Sequence, residues 1–251
     1  MIIRTVDATH AWRWLKEGLR IFRRSPAQWL LLVVILYAGS RLALAVPFMM
    51  YVAILVAPNF LAGLAHGAQG LTEGKPLRLG YLASGFLKNG ADLVTIGGVS
   101  LIGHFLIVMA IMVVAGDAFS DVAKTMAAGT VTPDTVNAMR AAAPRILLSM
   151  IVALGISLPV MLAVWFAPLS VFFDDVKPVA AMVLSLRACV SNVLPLLVYT
   201  VIVMVPLFVM MHIGMALTRE PDLGIWLLAP VLVPSLYASY VDLFVREDSA
   251  G

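Results

Sequence analysis

Charge is what this sequence has least of. Asp, Glu, Lys and Arg make up 12% of its 251 residues, whereas hydrophobic residues make up 62%. A soluble domain carries about a quarter of its residues as charges. Half that share, together with apolar runs of membrane-spanning length, places the chain in a bilayer. Cysteine is nearly absent: with Cys189 alone, neither an intrachain disulfide nor a CxxC metal knuckle can form. Catalytic signatures are missing too. There is no Ser/His/Asp constellation, HExxH, P-loop or dinucleotide glycine pattern, and the paired acids Asp174-Asp175 read as a helix start. An enzyme is not expected, and no cofactor is implied.

What is present is a layout of short basic or amphipathic stretches, each followed by long apolar runs. Arg4, Arg13, Lys16, Arg20, Arg23 and Arg24 precede the first run. A basic head beside a membrane segment points to anionic lipid before nucleic acid. Asp7 can cap a first helix, in which Ala8, Ala11, Trp12, Leu15, Leu19 and Phe22 form one apolar face opposite Arg13, Lys16, Glu17, Arg20 and Arg23. Such a helix lies in the membrane interface. Ala43-Leu44-Ala45 has the look of a signal-peptidase site, but the preceding flank is too long and Arg41 interrupts the apolar region, so the segment reads as a retained span.

Six spans are expected: 28–45, 48–66, 93–114, 146–166, 193–215 and 223–245. Gly63 and Gly67 form a GxxxG that reads as close backbone packing. A second amphipathic stretch follows Lys75-Pro76, with Leu79, Leu82 and Phe86 on one face, and ends at Lys88-Asn89-Gly90; a third follows Lys177-Pro178 and ends at Asn192. Residues 116–145 form a polar excursion, read as a short helical hairpin outside the bilayer, with Thr132-Pro133-Asp134 as a helix start. The domain plan is thus an interfacial helix over 1–26, a six-helix transmembrane domain over 27–245, and a tail over 246–251.

The second span of each pair carries Ala-Pro, at 57–58, 167–168 and 229–230. We read three repeated units, each an interfacial amphipathic helix plus a transmembrane hairpin, in an all-α polytopic fold. With both termini cytoplasmic, 12 of the 17 basic residues flank the inner side and 5 the outer, the expected sign of the bias.

The basic, tryptophan-bearing head with Ser25-Pro26, the motif Phe166-Ala167-Pro168, the run LSLRACVSN from Leu184 to Asn192, and the closing YASYVDLF from Tyr237 to Phe244 resemble a family of uncharacterised six-span proteobacterial inner-membrane proteins. More distantly, the layout is similar to the membrane region of some glycerophosphodiester phosphodiesterases. The resemblance implies a six-span fold in a bacterial inner membrane, and no catalytic residues.

Ionisable residues within the spans are the remaining candidates. His104 and His212 are intramembrane polar candidates; His104 could relay protons or bind a ligand, but a ring bonded to a nearby carbonyl is the simpler expectation for it. Met211 and Met215 beside His212 suggest soft-metal ligation, yet no ligand cluster completes it, so no metal is assigned. Arg187 and Asp242 are expected to pair near the inner surface. Arg41 could bind lipid phosphate or snorkel outward. Arg13, Lys16, Arg20, Arg23, Arg24 and Arg41 are the headgroup candidates. The expected role is non-enzymatic organisation of anionic lipid in the cytoplasmic leaflet, or of a protein partner at 116–145; the alternative is a small-solute transporter, for which proline in the even-numbered spans would open backbone groups to a cavity.

Overall fold

A computed structural model describes residues 2–127, 133–220 and 222–245. The regular structure of the described chain is helical apart from two strands of two residues each, β1 (Ile2–Ile3) and β2 (Phe244–Val245). Ten helices run in order: α1 (His10–Arg23), α2 (Pro26–Ala45), α3 (Met49–Thr72), α4 (Tyr81–Leu87), α5 (Gly90–Ala127), α6 (Pro133–Trp165), α7 (Ala167–Asp174), α8 (Pro178–Ser191), α9 (Val193–Thr218) and α10 (Leu223–Leu243). Six of the helical segments are long and apolar enough to cross a membrane. Each coincides with one of the expected spans, because an uncharged run of about 20 residues satisfies all its backbone polar groups internally only as a helix.

Local chemistry sets the ends. Pro26, Pro168 and Pro178 stand in the first turns of α2, α7 and α8, where a missing N–H costs nothing. Asp7 accepts the backbone N–H of Thr9 at 2.8 Å and its hydroxyl as well, closing the turn into α1 and lowering the carboxyl below its ordinary range. After α3, Gly74 takes φ +78° and Lys75 N–H returns to the Gly70 carbonyl at 2.8 Å, the left-handed stop that favours glycine. The break between α6 and α7 falls at Phe166, whose N–H donates to the buried Ser185 hydroxyl at 2.9 Å.

Two compact units are present: residues 1–98 with 163–251, and Val99–Leu162. In the first, α1 lies against α10. Gly18 makes this possible, since a Cβ there would stand 2.6 Å from the Val231 carbonyl. One cluster joins Ile21, Trp29 and Leu32 to Leu64, Ala68, Leu71 and Leu77. Another joins Ala62, Leu93 and Ile96 to Ala167, Val171, Phe172 and Ala181. Gly63 and Gly67 pack closely, as expected, with α4 and its lead-in as the partner: a Cβ on Gly63 would overlap the Tyr81 carbonyl, and one on Gly67 would press on Leu77.

In the second unit, Ala115, Ala118 and Ala142 pack together, with Val122 and Ile146 beside them. Over 116–145 the described residues belong to the end of α5 and the start of α6, which are 38 and 33 residues long. At 1.5 Å per residue, helices of this length exceed the roughly 30 Å hydrocarbon core. Thr132, the expected cap of α6, lies outside the described residues, as does the tail 246–251.

Candidate functional site

The short N-terminal segment and the end of α10 are tied together around one carboxylate. Asp242 Oδ2 accepts His10 Nδ1–H at 2.6 Å and Trp14 Nε1–H at 2.8 Å, while Oδ1 faces Arg4 Nη1 at 3.3 Å. β1 and β2 pair antiparallel beside it, Ile2 opposite Val245 and Ile3 opposite Phe244, so the two ends of the chain meet. Asn192, buried between α8 and α9, accepts Val6 N–H at 2.9 Å and donates to the Arg4 and Ala188 carbonyls at 3.1 and 3.0 Å. Asp242 is therefore paired as expected, but with Arg4 and His10 rather than Arg187. The reason is geometric: α1 packs against α10 and brings two N–H donors to the carboxylate, and the segment before α1 brings Arg4.

His10 Nε2 is approached by Arg13 Nη1 at 3.4 Å. That is the position a hydroxyl or thiol nucleophile would hold in a catalytic triad, and a guanidinium there can only donate. The cluster ties α1 and the segment before it to the end of α10.

The anchor fixes which side of α1 looks outward. His10, Ala11, Trp14, Gly18 and Ile21 are buried. Of the expected apolar face, Ala11 is buried with this stripe and Phe22 packs against the core, whereas Trp12, Leu15 and Leu19 form a second stripe about 100° around the helix. Trp12 is 51% exposed, whereas Trp14 is 2% exposed. A groove of about 450 Å³ runs along this second stripe, lined by Trp12, Leu15 and Leu19 with Lys16, Arg20 and Arg23. Lys16 Nζ stands 5.4 Å from the Trp12 ring centre, and Arg20 meets Glu17 at 2.7 Å.

The other three headgroup candidates are engaged elsewhere. Arg13 turns to His10. Arg24 donates to the Leu71 carbonyl at the end of α3. Arg41 forms a two-pronged pair with Glu220 at 2.9 and 3.1 Å and lies 3.6 Å from Asp222. Its acids come from the turn between α9 and α10, which sequence spacing gave no reason to place beside α2. His104 and His212 each bond through Nδ1 to the carbonyl one turn back, Ser100 at 2.7 Å and Phe208 at 2.8 Å; for His104 this is the simpler of the two expectations. Among the described residues no group of three or more His, Cys, Asp or Glu could hold a metal ion.

Two features escaped the sequence. Asn89, at φ +56°, donates at 2.7 Å to both the Val171 carbonyl and Asp175. That amide, with the Lys88 ammonium behind it, holds the Asp175 carboxyl below the ordinary range. The second is a basic cavity at the C-terminal end of α3, lined by His66, Lys75, Arg78 and Tyr81.

The chain is similar to a probable inner membrane protein of Burkholderia thailandensis, 23% identical over 192 residues that cover 74% of this chain and 69% of the relative. No family model matches the chain, and no solved structure matches it. With six apolar helices of spanning length, this likeness makes the protein a polytopic membrane protein.

Proposed function

We propose that the protein is a non-enzymatic organiser of the bacterial inner membrane, holding anionic lipid of the cytoplasmic leaflet against α1. The observation that carries this is the division of α1 into two faces. One is fixed to α10 through Asp242, and the other presents Trp12, Leu15 and Leu19 beside Lys16, Arg20 and Arg23. A rigidly anchored helix with an exposed tryptophan and three cations is built to rest at a headgroup boundary. Both termini are cytoplasmic in this reading. The pairing of β1 with β2 and the basic bias of the inner flanks support it.

The order short helix, long helix, long helix recurs from α1, from α4 and from α8, with α7 as the tail of α6. We read this as three repeated units. The distant likeness to phosphodiesterase membrane regions fits a platform without chemistry of its own. The ends of α5 and α6, with Phe119 and Met139 exposed, are the surface offered to a protein partner.

The test uses the protein in nanodiscs of brominated phosphatidylglycerol or brominated phosphatidylcholine. Trp12 should be quenched more strongly in the anionic discs, and the difference should vanish in Trp12→Phe and shrink in the triple variant Lys16→Gln, Arg20→Gln, Arg23→Gln. Equal quenching in both lipids, unaltered by either variant, would end the proposal.

A further inference from the structure

The cavity at the end of α3 is built by close approaches rather than by loose surface. Glycines at 63, 67 and 70 leave room for the segment 77–82 to lie directly on α3. This seats Leu77 in the core and stacks the Tyr81 ring edge-on to His66, with centroids 4.9 Å apart at 87°. Phe172 closes the other side of the imidazole at 5.2 Å. His66 Nδ1 is buried without a hydrogen-bond partner among the described residues. A buried ring nitrogen of this kind is uncommon, and the imidazole that carries it lines the wall of the cavity.

The mouth is cationic. Lys75 and Arg78 line a space of about 410 Å³ together with Tyr81 and Ser84. Glu73 pairs with Lys75 at 2.6 Å and neutralises part of that charge. Arg78 is exposed and forms no ion pair among the described residues, so its guanidinium fork is presented to the cavity mouth intact. Guanidinium matches two phosphate oxygens at once, and the lysine and imidazole N–H groups and the tyrosine O–H can serve the rest.

We propose that this cavity is a phosphate-binding site, with Arg78 as the principal ligand, Lys75 as its second cation and His66 as the inner polar contact. The phosphate could belong to a lipid headgroup or to a soluble phosphate ester. The residues involved are separate from the outer face of α1, so the two sites stand or fall independently.

The experiment is thermal unfolding of the purified full chain in a neutral detergent, with glycerol 3-phosphate or short-chain phosphatidylglycerol added, and sulfate-free chloride at matched ionic strength as control. At ten times the dissociation constant, a bound ligand should raise the midpoint by about 3–6 °C. Arg78→Gln, at an exposed position, should unfold like the wild type without ligand and lose the shift. The triple variant at Lys16, Arg20 and Arg23 should keep it. A shift with both probes assigns a soluble phosphate ester as sufficient, and a shift with the lipid alone assigns the headgroup. No shift with either probe, or an unchanged shift in Arg78→Gln, would overturn the site.

Discussion

Removing the Asp242 carboxylate tests the anchor most directly. In Asp242→Ala, the indole N–H of Trp14 and the Nδ1–H of His10 lose their acceptor, and these side chains are 2% and 8% exposed. A buried donor left unpaired costs roughly 1–3 kcal/mol. The carboxylate itself is 21% exposed, so water can reach part of the gap, and we expect a total loss of roughly 2–5 kcal/mol. In Asp242→Asn one oxygen remains to accept from Trp14 or His10, while the amide N–H₂ turns to Arg4. The cost there should be about half as large. For a chain of this length a kilocalorie moves the midpoint by about 2–4 °C, so the alanine variant should melt roughly 5–15 °C lower and the asparagine variant in between.

Double-mutant cycles give the partner. Coupling of Asp242→Ala with His10→Ala should be about 1–2 kcal/mol, with Arg4→Ala under about 1 kcal/mol because that guanidinium is largely exposed, and with Arg187→Gln near zero. A midpoint for Asp242→Ala within about 1 °C of wild type would refute the anchor. So would coupling to Arg187 in place of His10.

Other outcomes follow from single positions. Gly85→Ala should destabilise strongly, since its Cβ would overlap the Asn59 carbonyl, whereas Gly39→Ala meets nothing within 4 Å and should be neutral or slightly stabilising; melting midpoints in one detergent compare the two. Asn192→Asp should be worse than Asn192→Ala, because the carboxylate keeps the Val6 N–H but faces the Arg4 and Ala188 carbonyls; faster proteolysis of residues 2–9 reports the released segment. Cys189 is buried, and burial pushes its thiol from an ordinary 9.0 up to about 12, so maleimide at pH 8 should label it only after denaturation. The sign for stability follows: the unfolded thiol ionises first, so the stability this group contributes is intact below pH 9 and is lost as pH rises towards 12.

How much of this was legible depended on whether the signal was local. Long uncharged runs and their Pro, Gly and Asn punctuation gave the spans to within a few residues at most ends. The exceptions are α5 and α6. Asp117, Asp121 and Lys124 read as an exit from the membrane, but nothing in that stretch breaks a helix, so the backbone continued. On α1 apolar residues cover two adjacent stripes, and period alone cannot say which one a neighbouring helix takes: Trp14, Gly18 and Ile21 are buried, while Trp12, Leu15 and Leu19 line the groove. Asp242 and Arg4 are 238 residues apart, and no spacing rule reaches that far. Asn89 and Asn192 were visible as punctuation, but their clamping bonds are to Val171, Arg4 and Val6, segments that only the fold brings near.

The placement of polar ties also bears on the choice between an organiser and a transporter. Apolar side chains gain little by meeting each other when lipid is equally apolar, so membrane helices are joined by close packing and by polar contacts. In the larger unit the close packing is glycine against backbone. Many of its polar ties gather where the short helices join the long ones: Asp242 with His10 and Trp14, Asn192 with the N-terminal segment, Asn89 with Asp175, and Arg24 with the end of α3. A solute pathway needs polar groups turned toward a mid-span cavity. His104 and His212 each direct a ring nitrogen to a carbonyl of their own helix. The grooves lined by cations lie at α1 and at the end of α3, beside those same junctions. Cations gathered at those junctions are what the proposed holding of headgroups requires.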